Sequence, residues 1–289
     1  MAVLTLPAVA KLNLFLHIIG RRADGYHCLE TLFQFVDYGD SLSFTPTRER
    51  MIRFSCSAPQ LATDANLVMR AAQLLQQQFP EQWQGVHIHL DKRLPAGGGL
   101  GGGSSDAATT LLALCQLWQL PLTTEQLATL GLRLGADVPV FIHGRAAFAT
   151  GIGEQLTPAE PPCPWYLVVH PGVTVATPVI FQHPELPRNH PPLVDWTQWQ
   201  WENTSNDCES LVRQLYPEVA NALDWLVEYA PPRLTGTGAC VFARFNSEAQ
   251  AQQVLQALPS RWHGFVAQGL NVNPVCQHLR QASTVNLPD

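Results

Sequence analysis

The segment Leu94-Pro95-Ala96-Gly97-Gly98-Gly99-Leu100-Gly101-Gly102-Gly103-Ser104-Ser105-Asp106-Ala107-Ala108 decides how the rest of this chain is read. Six glycines fill the seven positions 97–103, a density that no regular element tolerates. From Ser104 the pattern turns helical, with Ala108, Leu111, Leu112, Cys115 and Trp118 on the inward side. Glycine permits positive φ and lets backbone N–H groups approach an anion closely. A glycine loop that runs into a helix N-terminus adds unpaired amide donors and the positive end of the helix dipole. Residues Pro95 to Ser105 therefore read as a phosphate cradle, with the Ser104 and Ser105 hydroxyls available to phosphate oxygens or a metal ion. A flexible surface loop is the plain alternative, but a linker seldom feeds straight into a strongly apolar helix.

Two common phosphate loops do not fit. A Walker A motif needs lysine after its last glycine, and Ser104 stands there. Gly97, Gly99 and Gly102 satisfy G-x-G-x-x-G in form only. Pro95 and a spacer separate them from the preceding strand, and no acid-terminated strand follows the helix, so a dinucleotide fingerprint fails as well.

Upstream, residues 8–19 and 29–38 are apolar-rich and flank the turn signal Asp24-Gly25, which predicts two strands joined as a hairpin. The periodicity of residues 66–79 predicts a helix capped by Asn66, and Val86, Ile88 and Leu90 alternate as a half-buried strand. His87-x-His89 has metal-like spacing on that strand but no evident third ligand, and reads as a solvated face. Downstream, Thr123 and Gln126 form a capping-box pattern for a second helix, followed by Gly135, Asp137 and Pro139. Pro139 biases Val138 towards extended geometry, so Asp137 is expected on a stiff corner. The run Thr157 to Trp165 holds four prolines and divides the chain into residues 1–156 and 157–289. Beyond it the pattern predicts helix over 207–229 with a break near Pro217, strand over 239–245, helix over 247–257 and strand over 264–272. The class is α+β.

Composition bounds the function. Hydrophobic residues make up 46% of the 289 and charged residues 14%, which excludes intrinsic disorder. No run approaches the roughly 18 apolar residues of a membrane span, and the first twenty residues do not read as a signal peptide. The net charge of −6, with no basic run beyond Arg21-Arg22 or Lys92-Arg93, argues against a nucleic-acid binder. Seven scattered cysteines without a CxxC pair argue against a disulfide framework or structural zinc. The expectation is a soluble cytoplasmic protein.

Three segments, in this order, resemble the family named for galactokinase, homoserine kinase, mevalonate kinase and phosphomevalonate kinase: Pro7 to Asn13, Leu94 to Ser105, and Leu234 to Cys240. PAVAKLNLFLHIIGRRADGYH, DKRLPAGGGLGGGSS, LGADVPVF and RLTGTGACVFA are similar to the branch that phosphorylates a cytidine-diphosphate-linked methylerythritol on a route to isoprenoids. The resemblance implies an N-terminal ATP-binding domain and a C-terminal ferredoxin-like domain with the active site between them. ATP and Mg2+ are the implied cofactors.

The resemblance also assigns residues. Lys11 is placed at the substrate hydroxyl, where an ammonium favours the alkoxide and stabilises charge on the transferring phosphoryl group. Asn13, two residues on and so on the same strand face, orients the hydroxyl or a phosphate oxygen. Asp137 becomes the proton acceptor rather than a structural cap. Tyr26 and Phe181 sandwich the cytosine while His27 bonds its edge, with Thr177 nearby. Asn66 contacts adenine. Asp106, in the first turn of the phosphate helix, is left between the ribose, the base and a magnesium ion. Rival readings are another small-molecule kinase of the superfamily and a non-catalytic ATP or metabolite sensor.

Overall fold

The computed structural model describes residues 3–193 and 195–285. Its frame is a long antiparallel hairpin of β1 (Leu4–Arg21) and β2 (His27–Pro46). β1 is almost wholly buried from Ala8 to Leu16, so its lysine and asparagine lie inside apolar surroundings. Three irregularities interrupt the pairing, and two of them bracket Lys11 and Asn13. Bulges of this kind bend a strand and re-aim its side chains. β3 (Ile52–Cys56) and β4 (Val86–Asp91) extend the sheet beyond β2. The hydroxyl of Ser55 on β3 lies 2.9 Å from a ring nitrogen of each of His87 and His89, so the strand histidines are spent on a local bond.

Helices α1 (Leu67–Gln78), α2 (Gly102–Leu117), α3 (Thr124–Leu132) and α4 (Val138–His143) share one apolar core with this sheet. Asn66 caps α1, and Thr123 and Gln126 close the expected capping box on α3. Two local expectations are corrected. α2 starts at Gly102, two residues before the periodicity turns helical, because the left-handed Gly101 (φ 69°) can act as its cap. Val138 is not extended but opens α4: Pro139 falls in the first helical turn, where its missing N–H is no loss.

After the short strands β5 (Ala147–Thr150) and β6 (Gln155–Pro158) the proline-rich segment leads to β7 (Trp165–His170). There follow α5 (Thr177–Gln182), α6 (Glu209–Leu215), α7 (Pro217–Leu226), β8 (Pro232–Leu234), β9 (Val241–Phe245), α8 (Glu248–Gln256) and β10 (His263–Leu270). The spatial order β10-β7-β9-β8, all antiparallel, with helices after β7 and between β9 and β10, is the β-α-β-β-α-β ferredoxin-like plan. A second apolar core lies between this sheet and α6, α7 and α8, and takes in Leu16 and Ile18 of β1. The last helix, α9 (Val275–Val285), returns to the first core through Val275 and Leu279. The hairpin and this helix thus tie the two halves together. No helix among the described residues is long and apolar enough to cross a membrane.

His17 marks the seam between the halves. It is fully buried, its ring stacks on His190 at 3.5 Å, and Asp207 holds His190 at 2.9 Å. Burial, with help from His190 and Arg233, pulls the His17 pKa from 6.5 down to about 4. The unfolded chain therefore binds an extra proton between pH 6.5 and 4, and stability falls as pH drops through that window, by on the order of 3 kcal/mol from this residue. Urea unfolding at pH 7 and pH 4.5 should show the loss, and His17→Gln should flatten it. Equal pH slopes in the two proteins would refute the assignment.

Candidate active site

A cavity of about 660 Å³ opens where the glycine loop, β1 and the second half meet. The loop's carbonyls are turned into the protein. Gly97 and Gly98 accept from the backbone N–H groups of Ala239 and Cys240, Gly99 from Lys11 Nζ and Thr235 Oγ1, Leu100 from Lys11 N, and Gly101 from Ser105 N. Among the described residues no backbone N–H from Ala96 to Ser104 donates to a protein acceptor. A loop whose carbonyls from Gly97 to Gly101 are used while its amides are unpaired is suited to receive an anion. The loop approaches its neighbours closely: a Cβ on Gly99 (φ 74°) would sit 2.1 Å from the Thr235 carbonyl oxygen.

Lys11 lies on the floor of the cavity, only 3% exposed. Its ammonium donates to Asn13 Oδ1 at 2.6 Å and to the Gly99 carbonyl at 3.1 Å, and stands 3.3 Å from Asp137 Oδ2. Asn13 is itself held, donating through Nδ2 to Thr31 Oγ1 at 2.9 Å while its Oδ1 accepts from Lys11. Asp137 occupies the cap position of α4 yet makes no side-chain capping bond. Its carboxylate, about one third exposed, is left to Lys11 and the cavity. A buried cation beside a more exposed carboxylate suits proton removal from a hydroxyl followed by charge stabilisation.

The cavity wall brings together Lys11, Asn13, Asn66, residues 95–104, Asp106, Asp137, Thr177 and Phe181. Asn66 combines its cap bond to Val68 N with a bond from Nδ2 to the Leu61 carbonyl. The Thr177 hydroxyl is 3.0 Å from that of Thr237. Three expected residues lie elsewhere. Ser105 is corrected: it is fully buried and donates to the Val9 carbonyl at 2.7 Å, so it fastens α2 to β1 instead of facing a phosphate. Tyr26 is 60% exposed outside the wall, and the buried His27 sits behind Phe181 with ring centroids 5.2 Å apart.

Asp106 is part of a buried charge group that the sequence did not reveal. Lys92 Nζ bonds Asp40 Oδ2 at 2.5 Å and Asp106 Oδ2 at 2.8 Å. Asp40 also accepts the backbone N–H groups of Arg93 and Leu94, which fixes the approach to the glycine loop. Burial pushes the Asp106 carboxyl up to about 7 against the pull of Lys92, and its Oδ1 is buried with no hydrogen-bond partner.

Residues 66–145 match the family of GHMP kinases N terminal domains, and residues 190–264 match the GHMP kinases C terminal family. A 4-diphosphocytidyl-2-C-methyl-D-erythritol kinase of Chromohalobacter salexigens is 54% identical over 277 residues, covering 94% of this chain and 93% of the relative. The chain belongs to the 4-diphosphocytidyl-2-C-methyl-D-erythritol kinase family of GHMP kinases. A crystal structure of 4-(cytidine 5'-diphospho)-2C-methyl-D-erythritol kinase superposes with a TM-score of 0.81 at 32% identity, over 92% of this chain and 98% of that one. A mevalonate kinase crystal structure shares the fold alone, with 15% identity and a TM-score of 0.66 over 94% of this chain and 100% of that one. The expected two-domain small-molecule kinase fold is borne out.

Site residues that sequence reasoning left unassigned include Thr235 and Thr237, in the quoted Leu234 to Cys240 segment, and Lys92, in the quoted DKRLP. Both motifs were visible. What they touch depends on packing.

Proposed function

We propose that this kinase transfers the γ-phosphoryl group of ATP to the 2-hydroxyl of 4-diphosphocytidyl-2-C-methyl-D-erythritol. The observation that carries the reading is the Lys11–Asp137 pair facing a glycine loop with unpaired amides across one cavity. Asp137 takes the proton of the attacking hydroxyl. Lys11, oriented by Asn13 and the Gly99 carbonyl, stabilises the oxygen anion and the charge on the moving phosphoryl group. The loop amides hold the triphosphate, and Asn66 borders the adenine end. Residues 1–156 carry ATP, and residues 157–289 close the substrate side.

Tyr26, His27 and Phe181 recognise the cytosine, and Thr177 lies beside them. Asp106 and Ser104 fit a magnesium ion. Asp106 is a residue of the cavity wall whose buried Oδ1, a hard oxygen donor, has no hydrogen-bond partner, and Mg2+ commonly takes one or two carboxylates plus substrate phosphates. Such an ion neutralises phosphate charge when bound. The enzyme works in the cytoplasm.

Coupled ADP release across candidate acceptors tests the reading. Turnover is expected with the cytidine-diphosphate-linked methylerythritol and not with homoserine or mevalonate. Turnover with either of the latter alone would overturn the substrate, and none with any acceptor would favour a sensor.

A further inference from the structure

Arg188 lies beyond α5, outside the cavity wall, and every one of its N–H directions is used. Nε donates to His27 Nε2 at 3.0 Å. Nη1 donates to the carbonyls of Pro184 and Leu186 at 3.3 and 2.9 Å, and Nη2 to those of Phe181 and His183 at 3.3 and 2.6 Å. The guanidinium therefore joins the C-terminal end of the helix that carries Phe181 to the imidazole at the start of β2.

We propose that Arg188 is a positioning residue for base recognition, fixing the tautomer and orientation of His27 so that Nδ1–H faces the base and selects cytosine over uracil. This rests on the assignment of His27 and Phe181 to the cytosine. A guanidinium only donates, so the bond to His27 has one direction: Nε–H gives and Nε2 accepts. The proton of a neutral ring must then be on Nδ1. That nitrogen has no protein partner among the described residues and is not sealed from solvent. Phe181 packs against one side of the ring, leaving the N–H as the directional contact.

The chemistry matches a cytosine edge. Cytosine presents acceptors at N3 and O2, whereas uracil carries a hydrogen on N3. A fixed N–H donor pairs with the first and opposes the second, and a buried mismatch of this kind is more discriminating than loss of apolar contact. A protonated His27 would set N–H against N–H at Arg188. Burial, with Arg188 and Arg21 beside the ring, accordingly holds the His27 pKa below its ordinary value.

The test is ¹⁵N NMR of the His27 ring in the full chain, assigned by difference with His27→Gln, together with steady-state kinetics. The wild-type ring is expected as the Nδ1–H tautomer. In Arg188→Met the tautomer should shift towards Nε2–H and the pKa should rise. The Michaelis constant for the cytidine substrate should increase about tenfold, the order that one directional hydrogen bond contributes, while that for ATP stays put. Discrimination against the uridine-diphosphate analogue should shrink by a similar factor. An Nε2–H tautomer in the wild type overturns the proposal even if the methionine variant does not fold. So does an unshifted tautomer and Michaelis constant in folded Arg188→Met when His27→Gln raises the cytidine constant. If His27→Gln itself leaves the cytidine constant unchanged, the base-site assignment is what fails.

Discussion

Asp137→Asn is expected to lower turnover by about 10² to 10⁴ while ATP binding stays near normal, the range typical of a lost general base. The substitution keeps the shape of the side chain but removes its basicity at neutral pH. Because the wild-type carboxylate makes no capping bond to α4, the change leaves the helix start undisturbed. It also leaves Lys11 held by Asn13 and the Gly99 carbonyl. Loss of rate therefore reports on proton transfer and not on collapse of the site. Lys11→Met should be slow as well, since charge on the attacking oxygen and the phosphoryl group goes uncompensated. If the two act as a unit, the double variant should be little worse than the poorer single one. Near-wild-type turnover in folded Asp137→Asn would reduce Asp137 to a corner of its loop.

Gly101→Val is expected to damage both nucleotide binding and rate. Gly101 sits at φ 69°, which a β-branched residue resists, at the head of α2. A Cβ there would lie 3.0 Å from Lys11 Cγ and 3.0 Å from Phe141 Cζ, so the strain falls directly on the lysine stem. Displacing a positioned group by about 1 Å can cost on the order of 10² in rate. Calorimetry should find ATP affinity sharply reduced, and kcat should fall with it. Unchanged affinity in a folded variant would remove the loop from the phosphate site.

Much of the fold is legible without the structure because its signals are local. Asn66 caps the helix that its sequence announces, Thr123 and Gln126 bond each other as their spacing requires, and the turn at Asp24-Gly25 joins two strands. Other elements escaped. α4 hides behind a proline that discourages helix one residue earlier yet suits the first turn, and β7 is a continuous apolar run without alternation. Ser105 shows the same limit at the level of one side chain. Its neighbour Ser104 faces the cavity, but a helix turns by about 100° per residue, which carries Ser105 to the β1 side.

By itself the sequence determined the glycine loop running into a helix, the apolar hairpin with Lys11 and Asn13 on one face, and a proline-rich segment between two mixed halves. The ferredoxin-like plan of the second half is implied by the family resemblance and completed by β7 and β8. The pairing of Lys11 with Asp137 is expected from the family motifs and is found at 3.3 Å, but only the tertiary structure decided that Lys92 lies between Asp40 and Asp106 and that Arg188 meets His27. The physical reason lies in the range of the forces. Caps, turns and hydrophobic periods are satisfied within a few residues, so spacing alone reveals them. A buried charge must be matched by whatever packing brings alongside it, and those partners come from distant elements whose approach is set by bulges, helix ends and the closing of two cores.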